Sequence, residues 1–514
     1  QWRKWAAIGN LCFFGSIALS AEIIIGGLIP LFLLFYSGVD VGILNIADFR
    51  SISRGSATGV NPLAILPPGV IPADIEKVSM LATVPLLSNG IASYFLVPLS
   101  IGIGRRPVLL IAGAFAWVGG FLAAASSSLD VHLVARAMQG LGAGTVEALI
   151  PLILQDMVFI HQRNKAMAAI VSSQGVVITA LGTVTPYIAS VYDWRWIYYI
   201  TSGFGIAAWY PTSCLAWPIT DHNGCRVGGQ QLHPIEPGKN RPEIDRTNHQ
   251  TPTQWSYMRL LQNRAEWKQA GKSMLNTLWT TPFPAIIWAT VTNSTFLIVN
   301  SAAQQISSFA LLAQGWQFQY TGLSVLPFIA ATGLVYLFGG PIADRVSNAV
   351  ARRNGGAREP EHHLVNIILP LAAGLAGTFI FGWAGQSDAH WAVLMVGSFL
   401  IIFGSLVVLS VINVFVVESY PMWAGPVLVN VSSLRIIIAF FLSSKSTSWI
   451  AERGFLNTFV IYSEVIIVVS LGIPLLYFFG RKLRRWTAGS VHVVPSGVSE
   501  KEVEDSTSDR SMGA

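Results

Sequence analysis

Two stretches, Pro98-Leu-Ser-Ile-Gly-Ile-Gly-Arg-Arg106 and Gly340-Pro-Ile-Ala-Asp-Arg345, each end a long apolar segment with small residues and arginine. One lies in each half of the chain, so they predict a duplicated protein built from two matched helical bundles that turn at the same membrane face. The segments around them agree. Apolar runs of about 20 residues, enough to cross about 30 Å of hydrocarbon, recur at 5–33, 78–99, 107–127, 131–155, 166–191, 196–217, 282–304, 321–341, 365–385, 391–417, 425–447 and 456–480. The expectation is an all-α polytopic membrane protein with twelve transmembrane helices in two six-helix pseudo-repeats.

Composition gives the same class. Of 514 residues, 52% are hydrophobic and only 11% charged, with a mean hydropathy of +0.54, outside the range of soluble domains. The net charge of +6 does not mark a nucleic-acid face. With both termini cytoplasmic, most Lys and Arg fall on the cytoplasmic side, and the outer ones are Arg50, Arg54, Lys77, Arg195, Lys445 and Arg453. That asymmetry obeys the positive-inside rule. Cys12, Cys214 and Cys225 form no extracellular disulfide framework. The first apolar run is too long for a signal peptide and reads as the first span.

Four units follow: a six-span half at 1–217 with an outer loop at 37–77, a cytoplasmic linker at 218–281, a second six-span half at 282–486, and a polar, disordered tail at 487–514. The outer loop, ending in Leu66-Pro-Pro-Gly69, reads as an external cap or a tolerant loop. In the linker, His222 to Gln254 is polar and turn-rich, whereas Trp255 to Lys272 mixes aromatic, aliphatic and basic residues and predicts an amphipathic helix at the inner leaflet.

Charges inside the apolar runs point to chemistry. Glu22 lies about 27 Å along its helix from Lys4 and about 21 Å from Tyr36, too deep to reach water easily. A carboxylate there needs a cavity, a cation or a proton, which makes it a proton or cation site, or else a neutral packing residue. In the fourth span, Arg136, Gln139 and Glu147 recur at helical spacing, and Gly140, Gly142 and Gly144 allow close helix approach. Arg136 faces a cavity or snorkels outward past Asp130. Asn293, Asn300 and Gln304 share one face of the seventh span, near Trp288 and Phe296, and Ser173 and Gln174 add polar groups in the fifth. Arg435 and Glu464, deep in the last two spans, read as a structural ion pair or as groups with a transport role. Asn293-Ser-Thr295 and Asn430-Val-Ser432 match the glycosylation sequon but lie inside spans. Glu359-Pro-Glu-His-His363 reads as a cytoplasmic loop without zinc spacing. No metal site, cofactor or P-loop is expected.

These features together resemble the major facilitator superfamily, within it the twelve-span drug:proton antiporter branch of fungi. Gly104-Arg-Arg-Pro107 is similar to the end of the family's motif between spans two and three, and Arg136 to Gly144 to its fourth-span motif, whose arginine is associated with proton coupling. Thr185-Pro186 stands where the antiporter motif has Gly-Pro. Asp193-Trp-Arg-Trp-Ile197 resembles the start of span six, and Arg352-Arg-Asn-Gly-Gly356 with Glu359-Pro-Glu361 resembles a signature of fungal members. Departures are Val97 and Ile101 in the first loop motif, where its partner keeps Gly340 and Asp344, and Leu181, Thr185, Ala189 and Ser190 in span five.

The resemblance implies a non-enzymatic secondary transporter, a monomer in the plasma membrane that exports hydrophobic or cationic small molecules against protons. The alternative is proton-driven uptake of a polar nutrient or a cation such as a polyamine. It also implies a central cavity lined by spans one, four, seven and ten, bringing together Glu22, Arg136, Glu147, Asn293, Asn300 and Gln304, with Gln139 and Gln174 as further candidate binding residues. At the cytoplasmic ends, Asp156 and Glu418 would clasp Arg105, Arg106 and Arg345 of the paired turns as gates. Because Ile101 replaces an aspartate, the second-half set of Asp344, Arg345 and Glu418 is expected to contribute more.

Overall fold

The computed structural model describes residues 2–40, 62–67, 69–150, 153, 163–214, 267–353, 360–387, 389–420 and 423–488. The first span is α1 (Trp2–Ile23), a 3-10 segment (Ile24–Leu28) and α2 (Ile29–Tyr36). Spans two to six are α3 (Ile75–Ile103), α4 (Arg105–Ala124), α5 (Leu129–Ala143), α6 (Arg163–Val191) and α7 (Arg195–Cys214). A separate helix, α8 (Trp267–Thr280), precedes the seventh span, α9 (Pro284–Ala313). The eighth comprises α10 (Leu326–Leu337) and α11 (Ala343–Arg353), joined by a π turn, and the ninth is α12 (Ile368–Gln386). α13 (Trp391–Ser419), α14 (Ala424–Ser443) with α15 (Ser446–Arg453), and α16 (Phe455–Ser470) with α17 (Gly472–Ala488) complete the path. Ten spans among the described residues meet the length and hydropathy needed to cross a membrane, and α5 and α7 stand at the positions of the two other expected spans, a path consistent with twelve.

Of the stretch 255–272 read as an amphipathic helix, the part from Trp267 is helical and continues to Thr280. Most of the 37–77 loop, the linker before Trp267 and the tail after Ala488 lie outside the described residues. The loop end of the bundle carries residues 37–40 and 69–74, and the terminus end carries Trp2 and Ala488.

Breaks in the helices follow from local sequence. Gly26 and Gly27, with Pro30 just beyond, loosen the first span into its 3-10 segment. Pro85 inside α3 has no N–H, so it strands the carbonyl of Leu81 one turn back. Packing depends on small residues. A Cβ on Gly140 would lie 2.3 Å from the Pro85 carbonyl oxygen, and one on Gly144 2.8 Å from that of Asn89, so α5 lies backbone to backbone on α3. The halves meet along two similar seams. Gly90 of α3 abuts the Ser433 carbonyl of α14, and Gly322 in the 3-10 turn before α10 abuts that of Thr183 in α6. At the loop end Glu76 pairs with Lys445 and accepts from Ser448, tying α3 to the α14–α15 span.

Gly140→Ala is expected to cost about 2 kcal/mol through overpacking, read as a lower thermal midpoint in detergent. Gly203→Ala, whose Cβ meets nothing within 4 Å, should leave the midpoint unchanged.

Candidate functional site

The polar interior is organised by Arg136, which is fully buried and does not snorkel outward. Its Nε donates to the Leu81 carbonyl at 2.9 Å, the group stranded by Pro85. Nη1 donates to the Ala21 carbonyl at 2.9 Å and Nη2 to that of Glu22 at 2.8 Å. These lie in the last turn of α1, where a helix end leaves carbonyls short of donors and favours a cation. Nη1 also donates to Gln139 Oε1. One planar fork thus ties spans one, two and four through backbone oxygens.

The Glu22 carboxylate points elsewhere. It is buried, its Oε2 accepts from Asn89 Nδ2 at 2.9 Å, and its Oε1 has no partner among the described residues. Glu147 does not continue the helical face of Arg136, because α5 ends at Ala143 and residues 144–148 form a turn, where Gly144 sits on the backbone of α3. The turn sends Glu147 to Arg435 of α14. This corrects the expected Arg435–Glu464 pair: Glu464 is exposed on α16, and Arg435, mostly buried, forms its ion pair across the two halves.

A cavity lies between the halves, with about 670 Å³ of empty space that includes its opening to the surroundings. Ile23, Ile24 and Gly27 of span one, Ile178 and Pro186 of span five, Asn300 and Gln304 of span seven, Phe328 of span eight and Ser398 of span ten are among its walls. Spans five and eight therefore stand where span four was expected, and Glu22, Arg136, Gln139 and Glu147 do not line it. Asn300 and Gln304 do, with Gln304 Nε2 3.5 Å from Asn300 Oδ1. Asn293 lies nearer the terminus end, buried, with neither amide atom bonded among the described residues. Gln174 is half-buried in α6 and lies outside these walls. Among the described residues, no ionisable side chain lines the cavity.

At the terminus end, Arg105 and Arg106 open α4 behind Gly104, whose φ of +103° suits glycine. Arg345 is exposed, while Glu418 lies 3.0 Å from His363 Nε2. Asp156 and the side chain of Asp344 lie outside the described residues. The Glu359–His363 stretch is more than a loop: Pro360–Ile367 forms a 3-10 segment in which Glu361, His362 and His363 are buried. Glu361 takes a two-toothed contact from Arg484 of α17, with Nη2 at 2.7 and 2.8 Å from its two oxygens. Those residue types serve as a tie between spans nine, ten and twelve.

Sequence reasoning missed two contributors. Asn89 follows Pro85 by one turn and so shares the face of the carbonyl that Arg136 occupies. His132, one turn before Arg136, is buried between the Tyr36 and Tyr198 hydroxyls at 2.9 and 2.7 Å and stacks on Trp194. Its four-residue offset from Arg136 was the available signal.

Two halves of six spans, seamed by small residues around a cavity and crossed, among the described residues, by the partly buried Glu147–Arg435 ion pair, define a membrane transporter. The Major Facilitator Superfamily model matches residues 11–422, and the chain belongs to that family. It is similar to the MFS transporter cpaT of Aspergillus oryzae, 22% identical over 424 residues covering 79% of each chain. It also resembles the efflux pump radE of Floropilus chiversii, 27% identical over 189 residues covering 35% of this chain and 34% of that one. Its fold is like that of the xylose transporter XylE from E. coli, with a TM-score of 0.59 and 12% identity over 93% of this chain and 98% of that one.

Glu147→Leu and Arg435→Leu are each expected to cost about 3 kcal/mol by leaving the other charge buried, and the double substitution should cost less than either. A double-mutant cycle on thermal unfolding in detergent checks it; additive losses would contradict the pairing.

Proposed function

We propose that this chain is a proton-coupled exporter of hydrophobic small molecules, such as a drug, toxin or secondary metabolite, working as a monomer by alternating access. The carrying observation is an apolar cavity with uncharged amide and hydroxyl groups beside a buried carboxylate that is not part of its wall. Such a wall suits an apolar molecule with a few hydrogen-bonding groups. A polyamine or other cation would call for a carboxylate in the wall, so the uptake alternative loses its main support. The likeness to a protein named as an efflux pump favours export. The charge asymmetry of the sequence favours an orientation with both termini cytoplasmic, and the proposed site of action is the plasma membrane.

In the proposed cycle Glu22 carries the proton on Oε1, the oxygen without a partner, and Asn89 holds the other oxygen. Asn300 and Gln304 orient the substrate. Rocking of the halves breaks the Glu147–Arg435 pair, so protonation of the interior carboxylates and separation of the halves are linked. Arg136 and Gln139 hold the frame, with Gln174 and Asn293 as polar groups met when the cavity changes shape. Arg105, Arg106, Asp156, Asp344, Arg345 and Glu418 gate the terminus end.

The test is efflux of Nile red from vesicles under an imposed pH gradient. Glu22→Gln should abolish the proton-driven component, a loss of about a hundredfold or more, the size seen for removing a positioned acid or base, while dye binding persists. Unchanged proton-driven efflux would exclude Glu22 as the carrier. Gln304→Ala should raise the apparent KM several-fold and leave the dependence on the gradient intact.

A further inference from the structure

Helix α8 belongs to neither half, yet it packs on both, against α3 of the first and α14 of the second. Its three stripes have different chemistry. Ala270, Thr277 and Thr280 are buried against the bundle. Trp267, Leu275 and Leu278 share one side of the helix as a second stripe at 64, 65 and 52% exposure, an apolar patch of the kind that marks a membrane or partner contact. Lys268 and Lys272, four residues apart and so on one row, form an exposed third stripe. The helix carries no Asp or Glu.

Its depth is set by aromatics. Trp279, 54% exposed, lies 5.3 Å from Trp423 and 5.5 Å from Phe283, and Phe283 lies 5.2 Å from Tyr420. These residues sit where α13, α14 and α9 begin or end, the level at which aromatic belts meet lipid headgroups. A helix lying there with an apolar stripe inward and lysines beside it matches an interfacial anchor.

The connection to the bundle is specific. Asn430 of α14, a sequon residue that is fully buried, spends its amide on α8. Its Nδ2 donates to the Thr277 carbonyl at 2.6 Å and to Thr280 Oγ1 at 2.9 Å, and its Oδ1 accepts from Thr281 Oγ1 at 3.2 Å. Whatever holds α8 flat on the membrane therefore holds it across the seam between the halves.

We propose that Lys268 and Lys272 bind the phosphates of anionic phospholipids, and that this headgroup contact fastens α8 over the α3–α14 seam and favours the arrangement of the halves seen here. The apolar and aromatic stripe requires a lipid interface, and two lysines without a neighbouring carboxylate on the helix make the anionic kind complementary. The inference is independent of substrate and direction of transport.

The experiment uses the full chain in nanodiscs of phosphatidylcholine, alone or with phosphatidylglycerol. Native mass spectrometry should show retained phosphatidylglycerol favoured over phosphatidylcholine, with about a fivefold loss of that preference per lysine in Lys268→Gln and Lys272→Gln, the size expected for a lysine at an anionic surface. Lys→Arg at both positions should keep the preference. Amide exchange over 267–280 should slow with phosphatidylglycerol in the wild type but not in the double Gln variant, and raised salt should give the variant's behaviour without any substitution. An unchanged lipid preference in the double Gln variant, or no preference in the wild type, would overturn the proposal. So would equal exchange over 267–280 in the two lipids.

Discussion

The interior of this protein depends on one guanidinium meeting carbonyls that proline and a 3-10 break leave short of donors. Arg136 is placed where Pro85 strands Leu81 and where α1 ends at Ile23. In hydrocarbon, unpaired backbone groups and an unpaired cation are each costly. Brought together they satisfy one another, each charge-assisted bond contributing about 1.5–3 kcal/mol. The bend in span one, the proline in span two and the arginine in span four are thus parts of one contact, and the glycines of α5 let the three backbones come close enough to make it.

This frees the carboxylates from a structural role beside Arg136. Glu22 has one oxygen held by Asn89 and one unpartnered, while Glu147 is turned by the 144–148 bend to Arg435. The first carboxylate lies within one half; the second bridges the halves. The proposed transport cycle uses that division, with a proton carried inside a rigid half and an ion pair that exists only while the halves are joined. Among the described residues the cavity wall carries no ionisable side chain, so the proposed substrate wall is chemically separate from Glu22 and Glu147.

The fold was legible because its signals are long and repeated: the apolar runs, the paired turns at Pro98–Arg106 and Gly340–Arg345, and the asymmetry of the lysines and arginines. The depth of Glu22 could also be read from distance to the helix ends, whereas Arg136, close to Asp130 at its helix start, fits both a buried and an outward-reaching position on the sequence alone. Partners were harder to read. The helical-wheel argument carried Glu147 onto the face of Arg136 because spacing does not show that α5 stops at Ala143. Arg435 was matched with Glu464 because depth alone does not tell an inward from an outward face. The cavity walls from spans five and eight were missed for a related reason: Gly182, Gly322 and Ser324 line it by allowing close approach rather than by offering charge. Asn430 illustrates the opposite case, a sequon dismissed as inaccessible whose amide fastens α8.

The central claim is that Arg136 is held by backbone carbonyls and not by the carboxylate of Glu22. Thermal unfolding of Arg136→Lys and Glu22→Gln in the same detergent separates the two. The account predicts a large fall in midpoint for Arg136→Lys, since an ammonium cannot reproduce the planar fork to three separate carbonyls, and little change for Glu22→Gln, whose amide keeps the contact with Asn89. Equal falls for both substitutions would mean that the carboxylate holds the arginine, and would contradict it.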